Sequence, residues 1–97
     1  MNSKQRSYLR SLANKLTPIF NIGKEGITDA FIAQVNGALE TRELIKISVL
    51  NTSGYTAREA SEELCESLGC EGVQAIGNKI VIYRKSEKNT KIELQNM

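Results

Sequence analysis

Residues 73–83, VQAIGNKIVIY, decide the fold that the sequence predicts. Two runs rich in β-forming residues flank a two-residue Gly-Asn loop, a pattern typical of a tight β-hairpin. A tight turn pairs Ala75 with Ile80. It also pairs Val73 with Ile82, so we expect these four side chains to share the core face. The opposite face is mixed in polarity and predicts a sheet open to solvent or to a partner on one side. That face carries Gln74, Ile76, Lys79, Val81 and Tyr83.

The chain ahead of the hairpin alternates between helical and strand patterns. Apolar residues recur at helical spacing over residues 3–16, 28–41 and 56–68. Residues 19–22 and 43–50 have the composition of strands instead. The order is therefore α-β-α-β-α-β-β. It predicts a two-layer α/β sandwich of the α+β class with a mixed four-stranded sheet.

Capping residues mark the ends of the predicted helices. Ser3 and Thr28 are suited to cap the first and second helices, because a short side-chain oxygen can accept an unpaired helix amide. Thr56 and Glu59 have the spacing of a capping box at the start of the third helix. Gly69 is suited to end that helix in the left-handed conformation.

The predicted strand ELIKISVL alternates between apolar and polar residues. Ile45, Ile47 and Val49 fall on one side of the strand. Lys46 and Ser48 fall on the other side, because successive side chains of a strand point to opposite faces. We therefore expect one buried face and one polar face.

Composition limits the class of protein. The 97 residues are 40% hydrophobic and 25% charged, which fits one domain, placed at residues 1–86. Residues 87–97 are predicted to be a polar tail in which residues 92–94 could add a short edge strand. No apolar run is long enough for a membrane span, and the polar N-terminus has no secretory signal, so we expect a cytoplasmic protein. Cys65 and Cys70 are expected to be free thiols, and a chain without histidine offers no four-ligand zinc site, so neither metal nor cofactor is expected.

Charge is distributed unevenly along the chain. Residues 1–24 carry five bases and no acid, for a net charge of +5. Residues 25–78 carry a net charge of −6, and residues 79–97 a net charge of +3. If the fold brings the two basic ends together, they form the positive face expected of a nucleic-acid binder. Solvated basic ends are the alternative.

The sequence offers little for catalysis. It has no histidine, which is the commonest general base, and no nucleophile with an evident base partner. We therefore predict no enzymatic activity and no small-molecule substrate. The acidic residues of the third helix form either a solvated face or a patch for a basic protein partner. They are Glu59, Glu62, Glu63 and Glu66.

The stretch IGKEG at residues 22–26 contains a Gly-x-x-Gly turn between a predicted strand and a predicted helix. Such a turn can present backbone N–H groups and a helix N-terminus to a phosphate. Glycine also lets a nucleic-acid backbone approach closely, as in the GXXG loop of KH domains. A plain strand-to-helix turn is the alternative for so short a motif.

Four segments together resemble a known family. They are KQRSYLRSLA followed by Leu16 and Pro18, the IGKEG stretch, ELIK at residues 43–46, and IGNKIVIYR at residues 76–84. In this order and spacing they resemble the CRM (chloroplast RNA splicing and ribosome maturation) domain. The resemblance covers residues 4–84 and is strongest to the bacterial single-domain, YhbY-like members.

The resemblance implies a fold similar to the C-terminal domain of translation initiation factor three, with an added N-terminal helix. It also implies an RNA-binding factor of ribosome assembly. Its partners would be ribosomal RNA and the precursor of the large subunit, and we expect a monomer. By the family's pattern, the RNA contacts are Gly23, Lys24, Glu25 and Gly26, with the nearby bases Lys4, Arg6, Arg10, Lys15, Lys79, Arg84 and Lys85.

Two points stay open in the sequence. Glu25 departs from the neutral residue that is common in the family, so we predict that it faces away from RNA, toward Lys15 or another base of the first helix. A protein-binding adaptor is the alternative function, because the acidic third helix or the mixed sheet face could dock a ribosomal or assembly protein.

Overall fold

The computed structural model of the protein describes residues 1–94, which form three α-helices and four β-strands in the predicted order. A short 3-10 turn at Asn51–Ser53 precedes the third helix. The elements are α1 (Ser3–Ala13), β1 (Phe20–Ile22), α2 (Asp29–Arg42), β2 (Leu44–Val49), α3 (Ala57–Leu68), β3 (Glu71–Ile76) and β4 (Lys79–Tyr83).

The strands form one mixed sheet in the order β1-β2-β4-β3, so the predicted fold class is confirmed. β1 runs parallel to β2, whereas β4 runs antiparallel to both β2 and β3. The last residues of β1 and β2 therefore lie beside the first residue of β4. We name this end of the strands the loop end. The opposite end, where β2 begins and β4 ends, is the tail end.

Helices α2 and α3 cover one face of the sheet, the inner face, and form the main core with it. Val35 and Leu39 of α2 and Leu64 of α3 are fully buried. Burial of each such side chain contributes about 1.5–3 kcal/mol. The strand residues in this core are Ile22, Ile45, Ile47, Val49, Ile80 and Ile82.

Helix α1 covers the tail-end half of the other face, the outer face. Leu9 and Ala13 of α1 pack in a second buried cluster with Val81 and Tyr83. The expectation of an open face is therefore wrong for this half, where Tyr83 is only 6% exposed. The hairpin pattern could not reveal this, because the apolar stripe that covers the face comes from a helix 60 residues away along the chain. At the loop end the face stays open, and Ile76 is 65% exposed.

The hairpin register differs from the prediction at Val73. Ala75 pairs with Ile80 as expected, but a β-bulge puts Gly72 opposite Ile82. A bulge inserts one extra residue and so changes which face the inserted side chain takes. Val73 therefore packs with α1 in the outer cluster and not with Ile82.

The helix caps are largely as predicted, with α1 as the exception. Asn2, not Ser3, caps α1, and its side chain exchanges hydrogen bonds with Gln5 in a capping box. α1 ends at Ala13, three residues early, because the Leu16 N–H donates to the Ala13 carbonyl in a tighter turn, at 3.0 Å. The confirmed predictions are the Thr28 cap, the box of Thr56 with Glu59, and the left-handed Gly69.

Strand β2 is covered on both faces, contrary to the expected polar face. Ser48 is buried and Lys46 is half-buried. Because β2 lies between β1 and β4, its outer side chains are flanked by those of both neighbouring strands. Leu44, at the tail end of β2, packs directly into the α1 cluster.

Glu43 joins α2 to β2 and is fully buried. Its backbone has an unusual positive φ of +67°, and its N–H donates to the Leu39 carbonyl at 2.9 Å. Its carboxylate accepts three backbone N–H groups, from Ser86 at 2.8 Å, Lys91 at 2.6 Å and Ile92 at 2.9 Å. One side chain therefore binds the chain that follows β4 at two separate points, Ser86 and residues 91–92.

The C-terminal segment, residues 87–94, has neither helix nor strand but is held against the domain. Glu40 accepts the Ser86 hydroxyl at 2.9 Å just before it. Ile92 and Leu94 pack against the α1 cluster. No edge strand forms from Ile92 to Leu94. The predicted tail continues through residues 95–97, which lie outside the described residues.

The protonation of Glu43 is linked to folding. Burial raises the pKa of its carboxyl, but the N–H groups of Ser86, Lys91 and Ile92 outweigh burial and hold the pKa below its ordinary value of 4.5. The unfolded chain therefore takes up a proton more readily than the folded one. The interaction contributes stability above pH 4.5, and this contribution is lost as pH falls through the lowered pKa.

We predict that Glu43→Gln lowers the free energy of unfolding by about 1–3 kcal/mol at neutral pH, because an amide cannot accept all three buried N–H groups. The variant should also lose less stability than the parent protein between about pH 5 and pH 3. Urea unfolding followed by circular dichroism over this pH range measures both effects.

The matched control is Glu66→Gln, because Glu66 is an exposed acid of α3. Its stability and pH dependence should follow those of the parent protein. Equal pH dependence in Glu43→Gln and the parent would show that Glu43 does not link the C-terminal segment to proton binding.

Candidate nucleic-acid interface

The GKEG loop, residues 23–26, forms a closed turn directly after β1. The Gly26 N–H donates to the Gly23 carbonyl at 2.9 Å. Gly26 has a φ of +73°, which a residue with a side chain rarely adopts. Lys24 and Glu25 occupy the exposed tip. The second glycine is therefore required by the shape of the turn.

The segment after β2 supports the loop. The Leu50 N–H donates to the Ile22 carbonyl at 2.9 Å, which extends the pairing of β1 with β2. A Cβ on Gly26 would meet the Tyr55 ring at 3.4 Å. The Tyr55 hydroxyl in turn donates to the Glu63 carboxylate of α3 at 3.1 Å. The loop is thus placed by β1, by β2 and by α3.

The N-terminus of α2 follows the loop after two residues, as the predicted Thr28 cap requires. α2 begins at Asp29, and Ile27 and Thr28 separate it from the loop. The Thr28 hydroxyl already accepts the Phe31 N–H at 3.0 Å. The Asp29 carboxylate adds negative charge in the first turn. A phosphate held by the loop would therefore meet the turn more directly than the helix.

The tip of the loop has donors but no internal partners. Among residues 1–94, no hydrogen bond engages the backbone N–H groups of Lys24 and Glu25, and neither side chain forms an ion pair. The predicted pairing of Glu25 with Lys15 or another α1 base is wrong. Lys15 lies near Leu44 at the tail end, and β2 alone separates the two ends by about 17 Å.

The start of β4 lies at the same end of the sheet as the loop. The Val49 N–H donates to the Asn78 carbonyl at 2.7 Å, which joins the hairpin turn to the end of β2. Lys79 follows this turn on the outer face. The structure therefore brings Lys79 and Lys24 to one end of the sheet. The outer-face row there consists of Asn21, Ser48, Lys79 and Ile76.

The predicted bases of α1 lie on two sides of that helix. Arg6 and Arg10 are half-buried and one turn apart, so they share a flank. The Arg6 guanidinium donates to the Gly72 carbonyl of β3, which fixes this flank against the sheet. Lys4 is exposed.

Lys15 lies in a cleft with two bases that the sequence analysis did not select, Arg42 and Lys46. The cleft has a volume of about 170 Å³ and lies between the end of α1, the end of α2 and the start of β2. We name it the cationic cleft. No sequence signal marked it, because Arg42 ends a helix and Lys46 only alternates with apolar residues. Its other lining residues are Leu16, Thr17, Ile19, Leu44 and Ile45.

Arg84 and Lys85 are separated from the loop, since they follow β4 at the tail end. The Arg84 guanidinium donates to the Asn36 side chain at 2.9 Å and to the Leu68 carbonyl at 3.0 Å. It also lies 3.9 Å from the Glu40 carboxylate. Arg84 therefore links α2, α3 and β4. Sequence reasoning selected it for its charge and had no means to see these partners.

The acidic side chains of α3 lie on the inner-face side of the domain and line a shallow groove with Gly54 and Tyr55. Within residues 1–94, no group of three or more His, Cys, Asp or Glu residues is arranged to hold a metal ion. Over the same residues, no helix has the length and apolar character to cross a bilayer. The groove residues are Glu59, Glu62, Glu63 and Glu66.

Comparison with known proteins identifies the family. The family model of the CRS1 / YhbY (CRM) domain matches residues 1–84, which include α1, the GKEG loop and the whole sheet. The chain belongs to the CRM family. The predicted resemblance is therefore confirmed.

Two relatives and one solved structure match this CRM chain over almost their whole length. The probable RNA-binding protein YqeI of Bacillus subtilis is 46% identical over 97% of this chain and 98% of its own. An RNA-binding protein of Haemophilus influenzae is 33% identical over 97% of this chain and 94% of its own. The solution structure of the hypothetical protein SAV1595 from Staphylococcus aureus superposes with a TM-score of 0.73. It is 47% identical, over 97% of this chain and 98% of that one.

We predict that the two loop glycines of this CRM domain differ in their tolerance of alanine. Gly26→Ala should cost about 1–2 kcal/mol, because its left-handed backbone disfavours a Cβ. Gly23→Ala is the matched control, since its Cβ would make an ordinary contact with Leu50 at 3.7 Å. Thermal unfolding of both variants measures the difference, and equal stabilities would contradict this description of the turn.

We also predict that Arg84 acts in stability and not in RNA contact. Arg84→Ala removes the donors that bind Asn36 and Leu68 and should lower the free energy of unfolding by about 1–3 kcal/mol. The exposed neighbour Lys85 provides the control, because Lys85→Ala removes a positive charge at the same place without these bonds. Chemical denaturation of the two variants distinguishes the roles, and similar losses would contradict the assignment.

Proposed function

We propose that the chain is a non-enzymatic RNA-binding protein of ribosome assembly that associates with large-subunit ribosomal RNA or its precursor. It would act as a monomer in the cytoplasm. The observation that carries the proposal is the loop end of the sheet, where the exposed Lys24 lies at the same edge as Lys79. Family membership and the names of the relatives support RNA as the ligand.

The tip of the GKEG loop has the chemistry of a phosphate site. The backbone N–H groups of Lys24 and Glu25 have no internal acceptor within residues 1–94. Two adjacent N–H groups and one ammonium can together bind a phosphate oxygen, as other backbone turns do. The Glu25 carboxylate adds nothing to such a site. In this proposal it points away from the RNA path.

Electrostatics favour the outer face for the rest of the contact. The one acid on the outer face of strands β1–β4 is Glu71, opposite Tyr83 at the tail end. The row at the loop end carries Lys79, the middle row carries Lys46, and neither row carries an acid. An RNA backbone that leaves the loop over these two rows therefore meets positive side chains and no acid of the sheet.

The mode of recognition follows from what the face lacks. Tyr83, which was expected on the open face of the sheet, is buried under α1. Without an open aromatic on this sheet face, contacts to phosphates and sugars dominate. We therefore propose binding by shape and charge with limited sequence preference and strong dependence on salt.

We predict that Lys24→Ala and Lys79→Ala each weaken binding to a fluorescently labelled fragment of large-subunit ribosomal RNA. The dissociation constant should rise roughly threefold to tenfold at about 0.1 M salt, because each variant loses a phosphate contact. The slope of log K against log salt should become shallower by about 0.7 per variant for a single-stranded segment. Lys88→Ala, in the C-terminal segment, is the charge-matched control.

Glu25→Gln provides the complementary measurement on the same RNA. Binding should stay unchanged or tighten slightly, because the substitution removes repulsion without removing a donor. A large loss of binding in Glu25→Gln, or parent-like binding in both lysine variants, would contradict the proposed site.

The acidic groove on α3 favours one alternative, a protein-binding adaptor. Its four glutamates surround Tyr55 and could dock a basic ribosomal protein. Sedimentation of ribosomal particles with and without nuclease separates the two functions. Association that depends on intact RNA favours RNA binding, whereas association that survives complete RNA digestion favours the adaptor. In-cell crosslinking would then identify the ribosomal RNA segment in contact.

A further inference from the structure

The cationic cleft brings together three positive side chains that are far apart in sequence. Lys15 comes from the end of α1, Arg42 from the last turn of α2, and Lys46 from β2. The cleft is lined by no acid. Like charges at one site repel one another, so an arrangement of this kind favours a bound anion.

These three side chains have no partners that would explain their convergence. Within the described chain, residues 1–94, none of them donates a side-chain hydrogen bond or forms an ion pair. Glu43 is adjacent to Arg42 in sequence, but its carboxylate is bound to backbone N–H groups of the C-terminal segment. The positive charge of the cleft is therefore not neutralised from within this part of the protein.

The cleft lies in line with the GKEG loop along one edge of the sheet. Ile19 lines the cleft and donates its N–H to the Lys46 carbonyl at 3.0 Å, and Gly23 begins the loop four residues later. At the rise of an extended strand, these two points are about 13 Å apart. The edge strand β1 therefore spans the distance between the cleft and the loop.

Lys79 lies at the loop end of the outer face, on β4, which β2 separates from β1. Lys46 pairs with Val81, and Lys79 is two residues from Val81 on the same strand. Diagonal neighbours of this kind are about 7–8 Å apart. Positive side chains thus extend from Lys46 in the cleft to Lys79 at the loop end, the end of the sheet at which Lys24 also lies.

We infer that the cationic cleft is a second phosphate-binding site and that one RNA strand runs along the β1 side of the outer face from the GKEG loop to the cleft. This inference rests on the proposed RNA-binding function and adds Arg42 and Lys46 to the RNA contacts. The Arg42 guanidinium, the Lys15 ammonium and the Lys46 ammonium bind one phosphate. The loop binds another phosphate further along the strand.

The strip of open surface fits a single strand. α1 covers the outer face at the tail end, around Val81 and Tyr83, and so limits the open surface to the loop-end rows and the β1 edge. Such a strip is flanked by α1 on one side and by the hairpin turn at Gly77 on the other. An RNA duplex is wider than this strip and would lie on top of α1, where its backbone could not enter the cleft.

The experiment measures binding of a fluorescently labelled single-stranded RNA to the full chain and to Arg42→Gln, Lys46→Gln and Lys15→Gln. Each variant should raise the dissociation constant roughly threefold to tenfold and reduce the salt slope by about 0.7. Lys88→Gln is the control, since Lys88 lies in the C-terminal segment outside both proposed sites. Thermal unfolding of each variant identifies any loss of fold. Arg42 is the most informative position, because it is exposed and its replacement leaves β2 intact.

The effects of the two sites should combine independently. Sites more than about 10 Å apart contribute additively to binding free energy. The double variant Lys24→Ala/Arg42→Gln should therefore show the product of the two single fold-changes. A double variant no weaker than Lys24→Ala alone would overturn the idea that one strand occupies both sites.

The outcomes separate this inference from the proposed function. Suppose that the parent protein binds RNA, that Lys24→Ala weakens this binding, and that the folded cleft variants bind RNA like the parent. The cleft assignment is then wrong, and the proposed RNA-binding function is retained. If the parent protein does not bind RNA at low salt, both are wrong. Amide chemical shifts in a titration with inorganic phosphate show whether the cleft binds free phosphate. If the amide shifts near Arg42 saturate with phosphate but the cleft variants bind RNA like the parent protein, the cleft is a site for free phosphate and its assignment to RNA is wrong.

Discussion

The parallel pairing of β1 with β2 is the constraint on which the interface depends. A parallel neighbour places the residues that follow β1 at the same edge as the end of β2. Antiparallel pairing then brings the start of β4 to that edge. The GKEG loop and Lys79, which are more than 50 residues apart, therefore meet at one end of the sheet. An antiparallel β1 would have carried the loop to the tail end, away from Lys79.

Helix α1 decides how much of the outer face remains accessible. It buries Val81 and Tyr83, so the outer face keeps only a narrow open strip of largely polar and basic residues. The C-terminal segment holds this arrangement from the tail end, because Glu43 binds its backbone and Ile92 and Leu94 pack beside α1. The uneven charge of the sequence thereby becomes a difference between faces. The acidic middle of the chain supplies α3 on the inner side, whereas the basic helix α1 and Lys79 lie on the outer side.

Much of the fold could be predicted from the sequence because its signals are local. A Gly-Asn loop between two β-forming runs can hardly be other than a hairpin, and the capping box at Thr56 needs only residues within one helical turn. The site was less predictable. The loop was found because its two glycines are only three positions apart in the sequence, whereas Arg84 was selected for its charge although it serves to join two helices to β4. Lys46 was predicted only as part of the polar face of a strand and not as an RNA contact.

The sequence by itself determined the order of the elements, the hairpin turn, most of the caps, the charged segments and the family. Each of these depends on residues close together in the chain. Only the tertiary structure decided which bases share a surface. It separated Arg84 and Lys85 from the loop, joined Lys15 to Arg42 and Lys46, and turned Val73 outward through a bulge. These outcomes depend on strand register and on where α1 docks, and both are set by contacts between segments whose separation along the chain leaves no local pattern.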